Sequence, residues 1–200
     1  MSAWALSIES LLHRIVENDA WHARWLNTLS FLENCGARKI AACEHPTLVK
    51  EEMLKHAAEE FRHAHHLKAQ MKKLSSRFLD TYALGDMWGG MATLHYLDRL
   101  EVEVSRYCRS FGCMKAFIYP LVTYAIECRA GKLYPLYDRV LRHLRSRVTV
   151  KSILLEEEEH LQEMGRALEG LPGGAIHRAH VCAIEEGLSQ RWLRALVINK

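Results

Sequence analysis

Apolar residues recur at three- and four-residue spacing along nearly the whole chain, and only four prolines, Pro46, Pro120, Pro135 and Pro172, interrupt the pattern. That period is what helices with one buried face require. Long β-branched runs are scarce, which leaves little room for strands. The fold class read from the sequence is therefore all-α. At 200 residues the chain suffices for one core and is short for two, so a single domain over 1–200 is expected.

The breakers set the expected helices. Asn18-Asp19 reads as the cap of a helix over about 20–43. His45-Pro46-Thr47 closes it and opens a second, about 47–75, and so short a connection implies antiparallel neighbours. A third is expected from Leu84 to about Arg109, with a glycine-rich start and a stop at Phe111-Gly112-Cys113. A fourth begins near Met114 and passes Pro120 and Pro135 to about Arg147, with a kink or break expected at a proline. Thr149 can cap a fifth to about Gly170. Leu171-Pro172-Gly173-Gly174 then separates a last helix, about 175–196.

Composition excludes little and points nowhere in particular. The formal net charge of +3 gives no argument for nucleic acid. No stretch reaches the roughly 18 to 20 consecutive apolar residues of a membrane span, and the N-terminal stretch lacks the basic head of a leader peptide. A cytoplasmic protein is the expectation. The six cysteines, Cys35, Cys43, Cys108, Cys113, Cys128 and Cys182, form no C-x-x-C pair, so they read as thiols packed on helices.

Buried carboxylates are costly, so an acid inside an apolar helical stripe needs a reason. Glu33 has Leu26, Leu29, Ser30, Gly36, Ala37 and Ile40 as helical neighbours and points inward. Within Glu59-Glu60 the same test selects Glu60, which shares a face with Met53, Ala57, Ala64 and Leu67. Within Glu156-Glu157-Glu158-Glu159 it selects Glu157, among Val150, Ile153, Leu154, Leu161 and Met164. His63 and His160 each follow an inward Glu by three residues, so carboxylate and imidazole emerge one turn apart and can hold one ion. With 19 Glu and 12 His among 200 residues, chance alone supplies about one such spacing. The weight lies in both pairs falling on core faces, with inward acids before them. Glu127 is the fourth acid, on a small and mixed face, and Glu101 and Glu103 are its rivals. Four carboxylates and two imidazoles carry a charge of about −4, which two divalent ions would neutralise; the set suits iron, with manganese as the alternative.

The order Glu, Glu-x-x-His, Glu, Glu-x-x-His over about residues 20–168 resembles the ferritin-like di-iron carboxylate proteins. Ala58-Glu-Glu-Phe-Arg-His-Ala64 and Ala125-Ile-Glu-Cys-Arg-Ala-Gly-Lys-Leu-Tyr-Pro135 are similar to rubrerythrin-like and aldehyde-oxygenase-like members. The resemblance implies a four-helix bundle with an extra crossover helix and a C-terminal helix, and a pair of iron ions. Glu60 and Glu157 would bridge the ions, Glu33 and Glu127 would be terminal ligands, and His63 and His160 would bind one ion each. It also implies reaction of dioxygen with a small or medium organic substrate. The chain lacks the Cys-rich module usual in rubrerythrins, and the helix at 84–109 is unusual for cage-forming ferritins. Both departures favour a stand-alone oxidase or oxygenase over peroxide scavenging or storage. A ferroxidase or iron store, and a metal-poor structural bundle, stay open.

His56, one turn before Glu60, is an extra ligand, a partner of a carboxylate, or a core histidine. Tyr124 and Tyr134 flank Glu127, and His95 and Asp98 stand on the third helix; each could orient a ligand. Arg139, Arg142, His143, Arg145, Arg147 and Lys151 form a basic cluster that reads first as a solvated face. Trp192, Leu193 and Leu196 would either cover the bundle or join two copies in a homodimer.

Overall fold

The computed structural model describes residues 3–111, 118–170 and 172–198. Among them are seven α-helices, two short 3-10 turns and no strand. The helices are α1 (Ala3–Val16), α2 (Asp19–Ala42), α3 (Glu51–Gln70), α4 (Gly90–Ser110), α5 (Ile118–His143), α6 (Lys151–Glu169) and α7 (Gly174–Ile198). None of the described helices is long and apolar enough to cross a membrane. Backbone contacts divide the chain into two compact units, Met1–Gly90 with Leu136–Ile153, and Met91–Pro135 with Leu154–Lys200.

In the first unit α2 and α3 are antiparallel partners. Lys68 Nζ donates to Asn27 Oδ1, Ser30 Oγ donates to the Ala64 carbonyl at 2.7 Å, and Glu33 stands beside Glu60. One residue number rises as the other falls, which fixes direction and register. Asn18 caps α2 as expected, its side chain accepting from Trp21 N at 3.0 Å. Beneath lie Leu12, Ile15, Trp25, Leu26, Leu29, Leu67 and Met71, all essentially buried. The long connection 71–90 is fastened to α2 by buried polar side chains that satisfy its backbone. Asn27 Nδ2 donates to the Thr81 and Asp86 carbonyls at 2.9 and 2.8 Å. Thr28 Oγ1 accepts from Trp88 N at 2.8 Å.

The second unit holds α4, α7, the first part of α5 and most of α6. Its buried side chains include Tyr96, Leu100, Val104, Leu121, Ala125, Leu133, Val181 and Leu196. Trp192 of α7 stacks on Tyr96 of α4 with ring centroids 5.3 Å apart and donates Nε1 to Thr93 Oγ1 at 3.0 Å. The apolar stripe of α7 is thus spent within its own unit, on α4.

Four helix boundaries differ from expectation, each for a local reason. α3 begins at Glu51 rather than 47, because His45 Nδ1 accepts from Thr47 N and Leu48 N, at 3.2 and 3.1 Å, and holds a turn there. The same helix gives way at Met71 to a 3-10 turn, Met71–Lys73. α4 begins at Gly90 rather than Leu84: Gly89 has φ +64, and a Cβ on Gly90 would lie 2.7 Å from the Leu84 carbonyl oxygen. Gly173 (φ +72) and Gly174 repeat that device before α7. α5 ends at His143 rather than 147. Ser146 N bonds back to the Leu141 carbonyl at 2.9 Å, Arg145 N to that of Arg142 at 3.1 Å, and Arg145 takes φ 51, a left-handed termination usually given to glycine.

α5 runs unbroken through Pro135, and Pro120 is the third of its described residues. The N-terminal stretch, unassigned from the sequence, is α1. The stop expected at Gly112-Cys113 and the start near Met114 lie outside the described residues.

Candidate metal centre

Seven ligand-type side chains singled out from the sequence, Glu33, His56, Glu60, His63, Glu127, Glu157 and His160, are each at most 5% exposed. Ionisable groups are almost never this buried without a compensating charge or a metal.

In the first unit, α2 supplies Glu33 and α3 supplies His56, Glu60 and His63 at helical spacing four and three, so they share one face. One ligand atom from each of Glu33, Glu60 and His63 lies within 4.8 Å of the others. His56 Nε2 is 3.3 Å from Glu60 Oε1, and His63 Nδ1 is 3.9 Å from Glu60 Oε2. Glu60 is therefore flanked by an imidazole on either side. A Cβ on Gly36, one turn beyond Glu33, would lie 3.7 Å from Glu60 Oε2, so the glycine leaves room beside that carboxylate. Glu59 points away and lies within 3.9 Å of Arg62.

In the second unit, α5 supplies Glu127 and α6 supplies Glu157 and His160. A carboxylate oxygen of Glu127 and a ring nitrogen of His160 lie within 4.8 Å of each other. Glu157 is buried, while Glu158 and Glu159 are exposed and Glu156 is intermediate. The rivals of Glu127 stand elsewhere. Glu101 is exposed, and Glu103 pairs with Arg99 at 2.6 Å and Arg106 at 2.7 Å.

The buried carboxylate and imidazole groups could hold a metal ion, with oxygen and nitrogen donors of the kind that hard and borderline cations take. The donor set fits iron or manganese and contains no thiolate, as zinc or copper(I) sites often do.

No protein-family model, curated protein or solved structure matches this chain.

The surrounding residues divide. Tyr124 is half-buried beside Glu127, and burial pushes its phenol up to about 12, so it keeps its proton at neutral pH. Tyr134 is buried. His95 and Asp98 are exposed on α4, and His95 lines a cavity there. His66 is partly covered, with Nε2 2.9 Å from the Thr149 carbonyl. In the basic cluster, Arg142 pairs with Asp138 at 2.8 Å and Arg139 lies 3.9 Å from Glu9, as on a solvated helix face.

Three features had no signal in the sequence. His22 is buried with Nε2 2.6 Å from Tyr137 Oη, and burial pulls its pKa down to about 4. Glu185 and Arg129 are buried in the second unit. Tyr96 Oη donates to Glu185 Oε1 at 2.9 Å, and the Arg129 guanidinium lies 5.7 Å from the Tyr96 ring centre. Burial raises the Glu185 carboxyl against the pull of Arg129. Tyr96, Trp192, Leu188, Met91 and Arg191 also line a cavity of about 540 Å³. Third, Cys128 Sγ and Cys182 Sγ are 3.1 Å apart. All three join residues between 54 and 115 positions apart, beyond the reach of any local pattern.

Proposed function

We propose that this chain is a ferritin-like, non-haem di-iron carboxylate protein that uses dioxygen to oxidise a small or medium organic substrate. The carrying observation is the repeated composition of the two buried sets. Each has a lone Glu on one helix and Glu-x-x-His on another: Glu33 with Glu60 and His63, and Glu127 with Glu157 and His160. We propose that these side chains, with His56 beside Glu60, hold two metal ions, with Glu60 a ligand of both.

The charge arithmetic supports the reading. Buried carboxylates side by side, as Glu33 and Glu60 are, repel one another and are stabilised as anions only by cations close by. Two divalent ions bring the set to neutrality. When bound, iron supplies the electrons with which dioxygen is reduced. The protein's part is to hold the carboxylates and imidazoles in place from stiff, packed helices, and to keep bulk water away from them. Apolar neighbours such as Leu26, Leu29 and Ile153 do the second. The cavity of about 540 Å³ on α4 and α7 has the size of a small-molecule site.

The test is to load the protein with ferrous iron without oxygen and then admit air. Oxygen uptake with the visible absorption of an oxidised iron pair is expected, and Glu60→Ala should show neither. Aldehydes and lipids would then be screened for turnover. An iron-loaded wild type that takes up no oxygen and stays colourless would refute the oxidase reading.

A further inference from the structure

Cys128 on α5 and Cys182 on α7 belong to the same unit, and their sulfur atoms are 3.1 Å apart, about 1 Å more than a disulfide bond. Both are free thiols and both are partly exposed. We propose that they form a redox dithiol that reduces hydrogen peroxide and closes to an internal disulfide, a site independent of the metal reading.

Three observations converge on it. Thiol pairs buried for packing alone sit in apolar surroundings, whereas three charged groups, Lys132, Arg178 and Glu185, act on Cys182 here, the two cations against the carboxylate. The Tyr124 hydroxyl lies within hydrogen-bonding reach of the Cys128 thiol. Tyr124 and Arg178 also line a cavity of about 320 Å³ with Leu161, Gln162, Gly165, Arg166 and Glu169, and the partial exposure of the two cysteines themselves lets peroxide reach the pair. The hydrogen bond from Cys128, aided by Lys132 and Arg178, lowers the Cys182 thiol against burial and Glu185, which makes Cys182 the attacking thiolate.

The chemistry balances as follows. The Cys182 thiolate attacks one peroxide oxygen; an S–O bond forms, the O–O bond breaks, and the departing hydroxide takes a proton to become water. Cys128 Sγ then attacks the Cys182 sulfenic sulfur; the S–S bond forms, the S–O bond breaks, and the oxygen leaves as a second water with the Cys128 proton. Two thiols give up two electrons and peroxide accepts them. A thiol reductant returns the pair to its starting state.

The test uses the whole chain, reduced, with a chelator present throughout, and about one equivalent of hydrogen peroxide. Remaining thiols are then alkylated and the protein is digested without reduction for mass spectrometry. A linked pair of peptides containing Cys128 and Cys182 is expected, reversed by a dithiol reductant. At pH 7, Cys182 should react about 10-fold faster than the exposed Cys43, from its larger thiolate fraction. In Cys128→Ser, a sulfenic acid trapped on Cys182 by dimedone is expected instead of the link. The wild-type measurement stands even where that variant folds poorly. Cys128 and Cys182 both still alkylatable after Cys43 has been oxidised, or a link that forms only without chelator, would overturn the proposal.

Discussion

The two units carry matching ligand sets in different settings. In the first, Glu60 has a histidine on both sides, His56 four residues before it and His63 three after. In the second unit's set no histidine stands four residues before Glu157: that position is Ile153, the last residue of the first unit's segment, fully buried. One set is therefore rich in nitrogen donors and the other is backed by hydrocarbon. The buried groups beyond the ligands differ in sign too. The first unit keeps a histidine, His22, neutral at a pKa of about 4. The second holds a carboxyl, Glu185, above its ordinary value. Similar patterns of Glu and His can thus sit in unlike surroundings, and the surroundings decide how each responds to metal and to pH.

The largest expected effect tests whether Glu60 is the common ligand. Glu60→Ala should lose both metal equivalents, while Glu33→Ala and Glu127→Ala should each retain about one, as read by metal analysis after desalting. Equal retention in all three would remove the asymmetry.

Next comes pH. Above pH 6.5 His22 is neutral in both the folded and the unfolded chain and adds no pH dependence. Below that, the unfolded chain takes up a proton that the folded chain refuses until about pH 4. Stability should therefore fall by about 3 kcal/mol as pH drops from 6.5 to 4, and His22→Gln should lack that fall. Glu185 has the opposite sign. Its raised carboxyl keeps its proton in the folded chain, so its contribution is present in acid and is lost as pH rises through the folded pKa. Glu185→Gln should flatten that second slope in urea titrations across pH, and parallel slopes in the wild type and both variants would contradict the contrast.

Much of this was legible in the sequence because helical period sorts acids by their neighbours. Glu60 was separable from Glu59, and Glu157 from Glu156, Glu158 and Glu159, since a buried helix face is written in residues three and four apart. Glu127 was less legible: its small, mixed neighbours gave a weak stripe, and Glu101 and Glu103 competed until their exposure and arginine partners were seen. Helix ends at 51, 90 and 143 were missed because a His45 side chain, a glycine pair and a left-handed arginine set them, none of which alters the apolar period. His22–Tyr137 and Cys128–Cys182 were missed because contacts between distant positions leave no local trace.

Two smaller effects sharpen the contrast. At a free metal concentration 100 times Kd, each ion should add about 2.7 kcal/mol, raising Tm by roughly 5 to 11 °C in a chain of this size. Melting curves of metal-free and loaded protein that coincide at neutral pH would count against the cluster. His56→Ala should weaken binding of one ion about 10-fold and leave the other unchanged, by competition with a metal-sensitive dye.

The central claim is that the buried carboxylates and imidazoles exist to hold two ions. Its most direct measurement is the metal content of the wild-type protein purified without chelators, by elemental mass spectrometry. Two equivalents of iron or manganese per chain, lost in Glu60→Ala, are predicted. A wild-type protein that is metal-free, binds neither ion when offered, and is as stable as before would contradict it.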